Sequence, residues 1–162
     1  MNKYGPYSEK VIEHFLNPRN YGKIEDPDGI GKVGNLVCGD VMYLYIAIGK
    51  NQDKEDVIDD VKFETFGCAA AIATSSVVSD LAKGKTLEKA LQIDNKKVIK
   101  ELGELPDIKI HCSLLAVDAL KEAVYDYLSK NKKKIPEDLQ KEHQRIEKDK
   151  KEVEKRYKKW EK

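Results

Sequence analysis

Apolar residues change their spacing several times along this chain, and the changes predict its elements. Val11, Ile12, Phe15 and Leu16 recur at helical spacing behind Ser8, whose hydroxyl suits an N-cap, and Asn17-Pro18 ends the run. Residues 18–31 are rich in Gly, Pro, Asp and Asn and read as a loop. Three strands follow: Val33 to Cys38, Val41 to Ile48, and Val57 to Phe66. The last alternates, with Val57, Val61 and Phe63 on one face and Asp60, Lys62 and Glu64 on the other. Turns at Gly39-Asp40 and across 49–56 make an antiparallel meander the simplest connection.

From Cys68 onward the period is helical. Ala69 to Ala82 is small and apolar, with Gly84 placed to terminate it. Thr86 caps a short helix through Leu91, and Asp94 caps another that Gly103 stops. Leu105-Pro106-Asp107 reads as a loop. Ser113 to Leu128 is an amphipathic helix whose apolar positions include Leu114, Leu115, Val117, Leu120, Val124 and Leu128. Strands first and helices after predict an α+β body.

Beyond Ser129 the pattern thins. Asn131 to Lys134 reads as a linker, and Pro136 suits the first turn of a charged C-terminal helix. Leu139, Ile146, Val153 and Trp160 recur every seven residues, but most positions that would pair with them are charged. The simplest expectation is a solvated helix laced by i,i+4 ion pairs. The sharper one is a helix docked on the body or on a second subunit. Charge divides the chain at the same place. Residues 1–128 hold 16 Lys+Arg and 21 Asp+Glu; residues 129–162 hold 14 and 8. The expected organisation is therefore a domain over 1–128 and a charged helical tail over 129–162.

Composition narrows the function classes. The 162 residues include 36% charged and 40% hydrophobic side chains, as in a globular chain with a highly charged surface. The longest apolar run, Val41 to Ile48, is far short of the roughly 20 residues that span a bilayer, and the start carries no apolar signal segment. A cytoplasmic protein without membrane contact is expected. The mixed charges of the tail argue against nucleic acid.

Three cysteines at long spacing make a poor disulfide framework. Their positions are more informative. Cys38 leads from a strand into Gly39-Asp40, Cys68 stands where a strand gives way to a helix, and Cys112 opens the last helix of the body. At a helix N-terminus, unpaired amides and the helix dipole favour the thiolate, the form that binds metal and attacks sulfur. Three thiolates suit a soft metal or an iron–sulfur cluster and need a fourth ligand, for which Asp40 and His111 are nearest in sequence. A hard carboxylate in a thiolate site favours a temporary cargo over a permanent one. Lys109 approaches the same end of the chain, where a cation favours thiolates. His14 is expected to be structural and His143 to lie on the surface. A thiol enzyme using Cys112 and His111 is disfavoured, because adjacent residues rarely reach each other properly and no third orienting group is apparent.

Four motifs resemble one family. Tyr7-Ser8-Glu9-Lys10-Val11-Ile12-Glu13-His14-Phe15 with Asn17-Pro18-Arg19-Asn20-Tyr21-Gly22 looks like the opening of the IscU/NifU-type iron–sulfur scaffolds. Cys38-Gly39-Asp40-Val41-Met42, Phe63 to Cys68 with Ala71-Ile72-Ala73, and His111 to Ala116 continue the likeness in order over residues 7–128. The resemblance implies an α+β fold with a three-stranded antiparallel sheet packed against helices. It implies a scaffold and carrier rather than an enzyme. A [2Fe–2S] cluster would be assembled from Fe²⁺ and sulfur supplied by a cysteine desulfurase, then passed to apo acceptor proteins. Carried over, Cys38, Cys68 and Cys112 would be cluster ligands. Asp40 would match an aspartate associated with cluster lability, and His111 the residue that separates IscU-type from zinc-dependent SufU-type members. Zn²⁺ could occupy the cluster-free site, and subunits could associate as a homodimer or larger oligomer. The family's Leu-Pro-Pro-Val-Lys segment, recognised by Hsp70/Hsp40-type chaperones, appears here as Leu105-Pro106-Asp107-Ile108-Lys109. Ala69-Ala70 replaces the usual Gly-Ser, and Val117 an acidic residue. The alternative is a zinc-dependent sulfurtransferase in which Cys38 accepts persulfide sulfur while Asp40, Cys68 and Cys112 hold zinc.

Overall fold

The computed structural model describes residues 5–34 and 40–160, without the side chains of Tyr157 and Trp160. Cys38 lies outside the described residues. Helix α1 (Glu9–Leu16) precedes strands β1 (Gly29–Gly34), β2 (Val41–Lys50) and β3 (Asp56–Thr65). Helices α2 (Ala69–Ala82), α3 (Leu87–Ala90) and α4 (Asn95–Leu102) follow, then α5 (Ile110–Lys130) and α6 (Glu137–Trp160). The sheet is antiparallel in the order β1-β2-β3, with Gly34 opposite Val41 and Met42 opposite Thr65. This is the α+β architecture expected from the pattern.

The caps form where the sequence places them. The hydroxyls of Ser8 and Thr86 and the carboxylate of Asp94 accept the amides of Val11, Lys89 and Lys97. Ser8 Oγ also donates to the Leu102 carbonyl at 2.5 Å, tying the start of α1 to the end of α4.

The sheet buries one face under helices. Met42, Leu44, Ile46, Val61 and Phe63 point into that core and are fully buried. Helix α2 is buried on most of its circumference, which explains its small residues. Its serines are internally satisfied: Ser75 donates to Ala71 O and Ser79 to Ser76 O. His14 is structural, with Nδ1 2.8 Å from Ser76 Oγ.

Strand β1 begins earlier than expected, inside the stretch read as loop. Gly29 and Gly31 carry no side chain because α5 leaves no room for one. A Cβ on Gly31 would fall on the Ala119 carbonyl, and one on Gly29 on the Ala123 carbonyl. Sheet and helix therefore meet backbone to backbone. Gly31→Ala is expected to destabilise the fold by about 1–3 kcal/mol, read as a lowered urea midpoint with unchanged slope.

Three further expectations are corrected. In β3 the pairing shifts between Ala47 opposite Asp60 and Ile48 opposite Ile58, leaving Asp59 as an extra residue. The bulge places Ile58, rather than Val57, in the core beside Val61. On α5, which starts three residues before Ser113, Leu114 is 46% exposed, while Leu115, Ala116, Ala119 and Leu120 face inward. Helix α6 is not a solvated rod over its first half. Leu139 and Ile146 are buried, Arg145 pairs with Asp118 at 2.8 Å, and His143 is half-buried, stacked on Tyr125 at 3.6 Å. Among the described residues no helix is long and apolar enough to cross a membrane.

Candidate metal–thiolate site

The site forms where three element boundaries meet. Asp40 immediately precedes β2. Its position is set by Val41, whose carbonyl accepts from Thr65 Oγ1 at 2.9 Å and from the Phe66 amide at 3.2 Å. Those contacts bring the start of β2 against the Gly67-Cys68 turn. Gly67 is needed there: a Cβ would stand 2.6 Å from that of Ala71 and 3.0 Å from the Asp40 carboxylate carbon. Cys68 is the extended N-cap of α2. Cys112 lies in the first turn of α5, fully buried, and its carbonyl accepts from Thr74 Oγ1 of α2 at 3.2 Å.

These boundaries gather three donors. A carboxylate oxygen of Asp40 and the sulfurs of Cys68 and Cys112 all lie within 4.8 Å of one another. The two sulfurs are 3.7 Å apart, far beyond a disulfide bond. Two thiolates on one tetrahedral metal, each about 2.3 Å from it, would stand about 3.8 Å apart. Asp40 is buried, yet among the described residues its Oδ2 has no hydrogen-bond partner. A buried polar atom left in that condition is costly unless something arrives to use it. Soft sulfur pairs with one hard oxygen suit iron, an iron–sulfur cluster or zinc.

His111 Nε2 sits 3.6 Å from Cys112 Sγ but stands outside the three-donor group. Of the two fourth-ligand candidates, Asp40 is therefore the one already gathered with the thiols.

The surroundings favour thiolate at Cys68. The strongest influence is the Cys112 thiol beside it; the amides of Ala71 and Ala70 and the charge of Lys109 add to this, and burial opposes. The net effect holds Cys68 down at about 5. The Cys68 sulfur makes no capping hydrogen bond of normal geometry, but those amides still turn their positive ends toward it. Lys109 is fully solvated, and its pKa is raised chiefly by Cys68. The thiolate is the reactive form, so alkylation of Cys68 by iodoacetamide is expected to be at full rate at neutral pH. It should fall only as pH drops through about 5. An ordinary cysteine, with a pKa of about 8.5, would still be gaining rate above neutrality. Mass spectrometry of the modified peptide across pH separates these profiles.

Sequence reasoning missed two parts of the site. Tyr7 acts electrostatically on Lys109, the lysine whose charge favours the Cys68 thiolate, although no metal-ligating residue marks it. Thr74 locks α2 to α5 from inside an apolar run, where one hydroxyl gives no positional signal. Phe66 and Ile108 are 80% and 77% exposed on the segments that lead to Cys68 and Cys112.

Comparisons with known proteins identify the chain's family and fold. The model of the NifU-like N terminal domain matches residues 6–134. A curated protein of Archaeoglobus fulgidus named iron–sulfur cluster assembly scaffold protein IscU 1 is 57% identical over 145 residues, covering 88% of this chain and 92% of the relative. The Escherichia coli protein named IscU is 50% identical over 131 residues, 79% of this chain and 98% of the relative. A crystal structure titled as a scaffold protein for the SUF system, from Fervidobacterium islandicum AW-1, superposes with a TM-score of 0.57 at 27% identity. It covers 76% of this chain and 99% of the other. A NifU-like N-terminal structure from Brucella abortus, 22% identical with a TM-score of 0.58, shares the fold over 77% of this chain and 96% of its own. By sequence and by fold, the chain belongs to the NifU-like N-terminal domain family.

Proposed function

We propose that this chain is a scaffold on which an iron–sulfur cluster is built and from which it is released to other proteins. One observation carries the reading: two sulfurs at metal-sharing distance beside a buried carboxylate oxygen without a hydrogen-bond partner among the described residues. Its curated relatives named IscU support the same assignment.

In this reading the cargo is a [2Fe–2S] cluster. Cys68 and Cys112 hold it, Asp40 supplies the weak oxygen position, and Cys38 supplies the third thiolate. Cys38 is two residues before Asp40, a length of chain that spans no more than about 7 Å. Cys68, held as thiolate, is a ready acceptor for iron or for sulfur handed over by a cysteine desulfurase. His111 acts beside Cys112. Residues 1–128 form the scaffold domain and 129–162 an appended helical arm.

A second reading has a specific observation in its favour. Asp40, Cys68 and Cys112 are also a zinc set, and Cys38 would then act alone as a persulfide acceptor in sulfur transfer. The two readings part on release. Chain loaded with iron and sulfide, when mixed with an apo-ferredoxin, should convert the acceptor to its holo form at the expense of the donor's visible absorption. A chain that keeps a colourless ion and gives up only sulfane sulfur supports the second reading and contradicts the first.

A further inference from the structure

A second group of metal-ligating side chains lies on the seam between α5 and α6, ten residues and therefore about 15 Å along α5 from Cys112. Glu122 of α5 and His143 and Glu147 of α6 offer two carboxylate oxygens and one imidazole nitrogen, all within 4.8 Å of one another. His143 and Glu147 are four residues apart and so share a face of α6. The imidazole is fixed: it stacks on Tyr125 with ring planes 8° apart, and its Nδ1 lies 2.9 and 3.2 Å from the two oxygens of Glu122. The Glu122 side chain is only 8% exposed, and with His143 and Glu147 it borders a cleft of about 360 Å³ that Lys32, Lys130 and Lys150 also line. The cleft gives an ion a path inward and room for its water ligands.

We propose that Glu122, His143 and Glu147 bind a divalent first-row transition ion of the zinc type, with water completing its coordination. The donor chemistry is right for such an ion, since imidazole and carboxylate both bind Zn²⁺ at about 2.0–2.2 Å. The two carboxylates neutralise its charge, and a buried carboxylate otherwise needs compensation. In the ion-free chain that compensation is partial and comes from two groups. One is His143. The other is Lys150, whose Nζ lies 3.4 Å from Glu147 and 4.0 Å from Glu122. The ion takes over from Lys150, and the imidazole binds it through Nδ1 with the ring proton carried on Nε2. Because the ligands come from both helices, the ion clamps α6 to α5. The site is independent of the cysteines.

Lys150 separates a metal site from an ion-pair network. The test is equilibrium dialysis of the full-length protein against Zn²⁺ in a chelator buffer, with zinc counted per chain. Glu147→Gln, at a half-exposed position, should bind one ion fewer than the parent chain, whether or not the cysteines also take zinc. Lys150→Ala should keep the ion and bind it on the order of tenfold more tightly, because the competing cation is gone. Equal counts in Glu147→Gln and the parent would overturn the proposal. So would unchanged affinity in Lys150→Ala, which would leave only an ion-pair network. Circular dichroism of each variant confirms that the fold is shared.

Discussion

Cys112→Ala is expected to abolish cluster retention and to quench Cys68 at the same time. The side chain is fully buried in the first turn of α5, where alanine is helix-compatible, so the chain should still fold. Two losses follow from one sulfur. The first is a ligand: reconstituted iron per chain should fall by at least about tenfold, since losing a group that merely supports a ligand already costs roughly 10–100-fold in affinity. The second is electrostatic. The Cys112 thiol is the largest of the influences that hold Cys68 at about 5, so without it the Cys68 thiol rises toward its ordinary value. Its alkylation profile should then move to higher pH, against the amides of Ala70 and Ala71 and the charge of Lys109, which still favour the thiolate. Cys112→Ser, which keeps a hydroxyl donor, should lose the cluster yet move that profile less. An unchanged alkylation profile in Cys112→Ala would show that the two sulfurs do not act as a pair.

Asp40 should respond in two opposite directions. Its buried Oδ2, without a hydrogen-bond partner among the described residues, costs desolvation in the ion-free fold. Asp40→Ala should therefore stabilise that form by about 1–3 kcal/mol. For a chain of this size that corresponds to a rise of roughly 2–4 °C per kcal/mol, measured by calorimetry. Asp40→Cys tests the other direction. A fourth thiolate in place of the hard oxygen closes the site around soft donors, so loaded protein should release its cluster to an acceptor about tenfold more slowly. A residue that weakens both the empty fold and the grip on cargo is what a temporary site requires. Asp40→Ala that melts lower than the parent would mean the carboxylate has a structural partner after all.

Much of this was legible in the residues because the signals are local. Ser8, Thr86 and Asp94 cap helices through contacts three residues away, and the apolar run that starts at Ala69 ends at Ala82 as its composition predicts. Cys68 and Cys112 were readable because helix starts are readable, and a thiol at a helix start has a distinct chemistry. The features that escaped depend on partners distant in sequence. Gly29 and Gly31 are poor strand formers on either side of Ile30; they stand in a strand because the alanines of α5 admit only glycine opposite them. The bulge at Asp59 is silent because Asp59-Asp60 reads the same with or without an extra residue. The docking of α6 rests on Tyr125, Glu122 and Asp118 of α5, none of which marks itself as a partner of a charged helix.

The central claim is that the site around Asp40, Cys68 and Cys112 carries an assembled cluster and not a lone ion. The most direct measurement is the count of iron and acid-labile sulfide per chain after anaerobic incubation with Fe²⁺, cysteine and a cysteine desulfurase. The account predicts iron and sulfide in equal amounts, both absent when Cys38, Cys68 or Cys112 is replaced by serine. Zinc held throughout, with persulfide on a cysteine and no acid-labile sulfide, would contradict it.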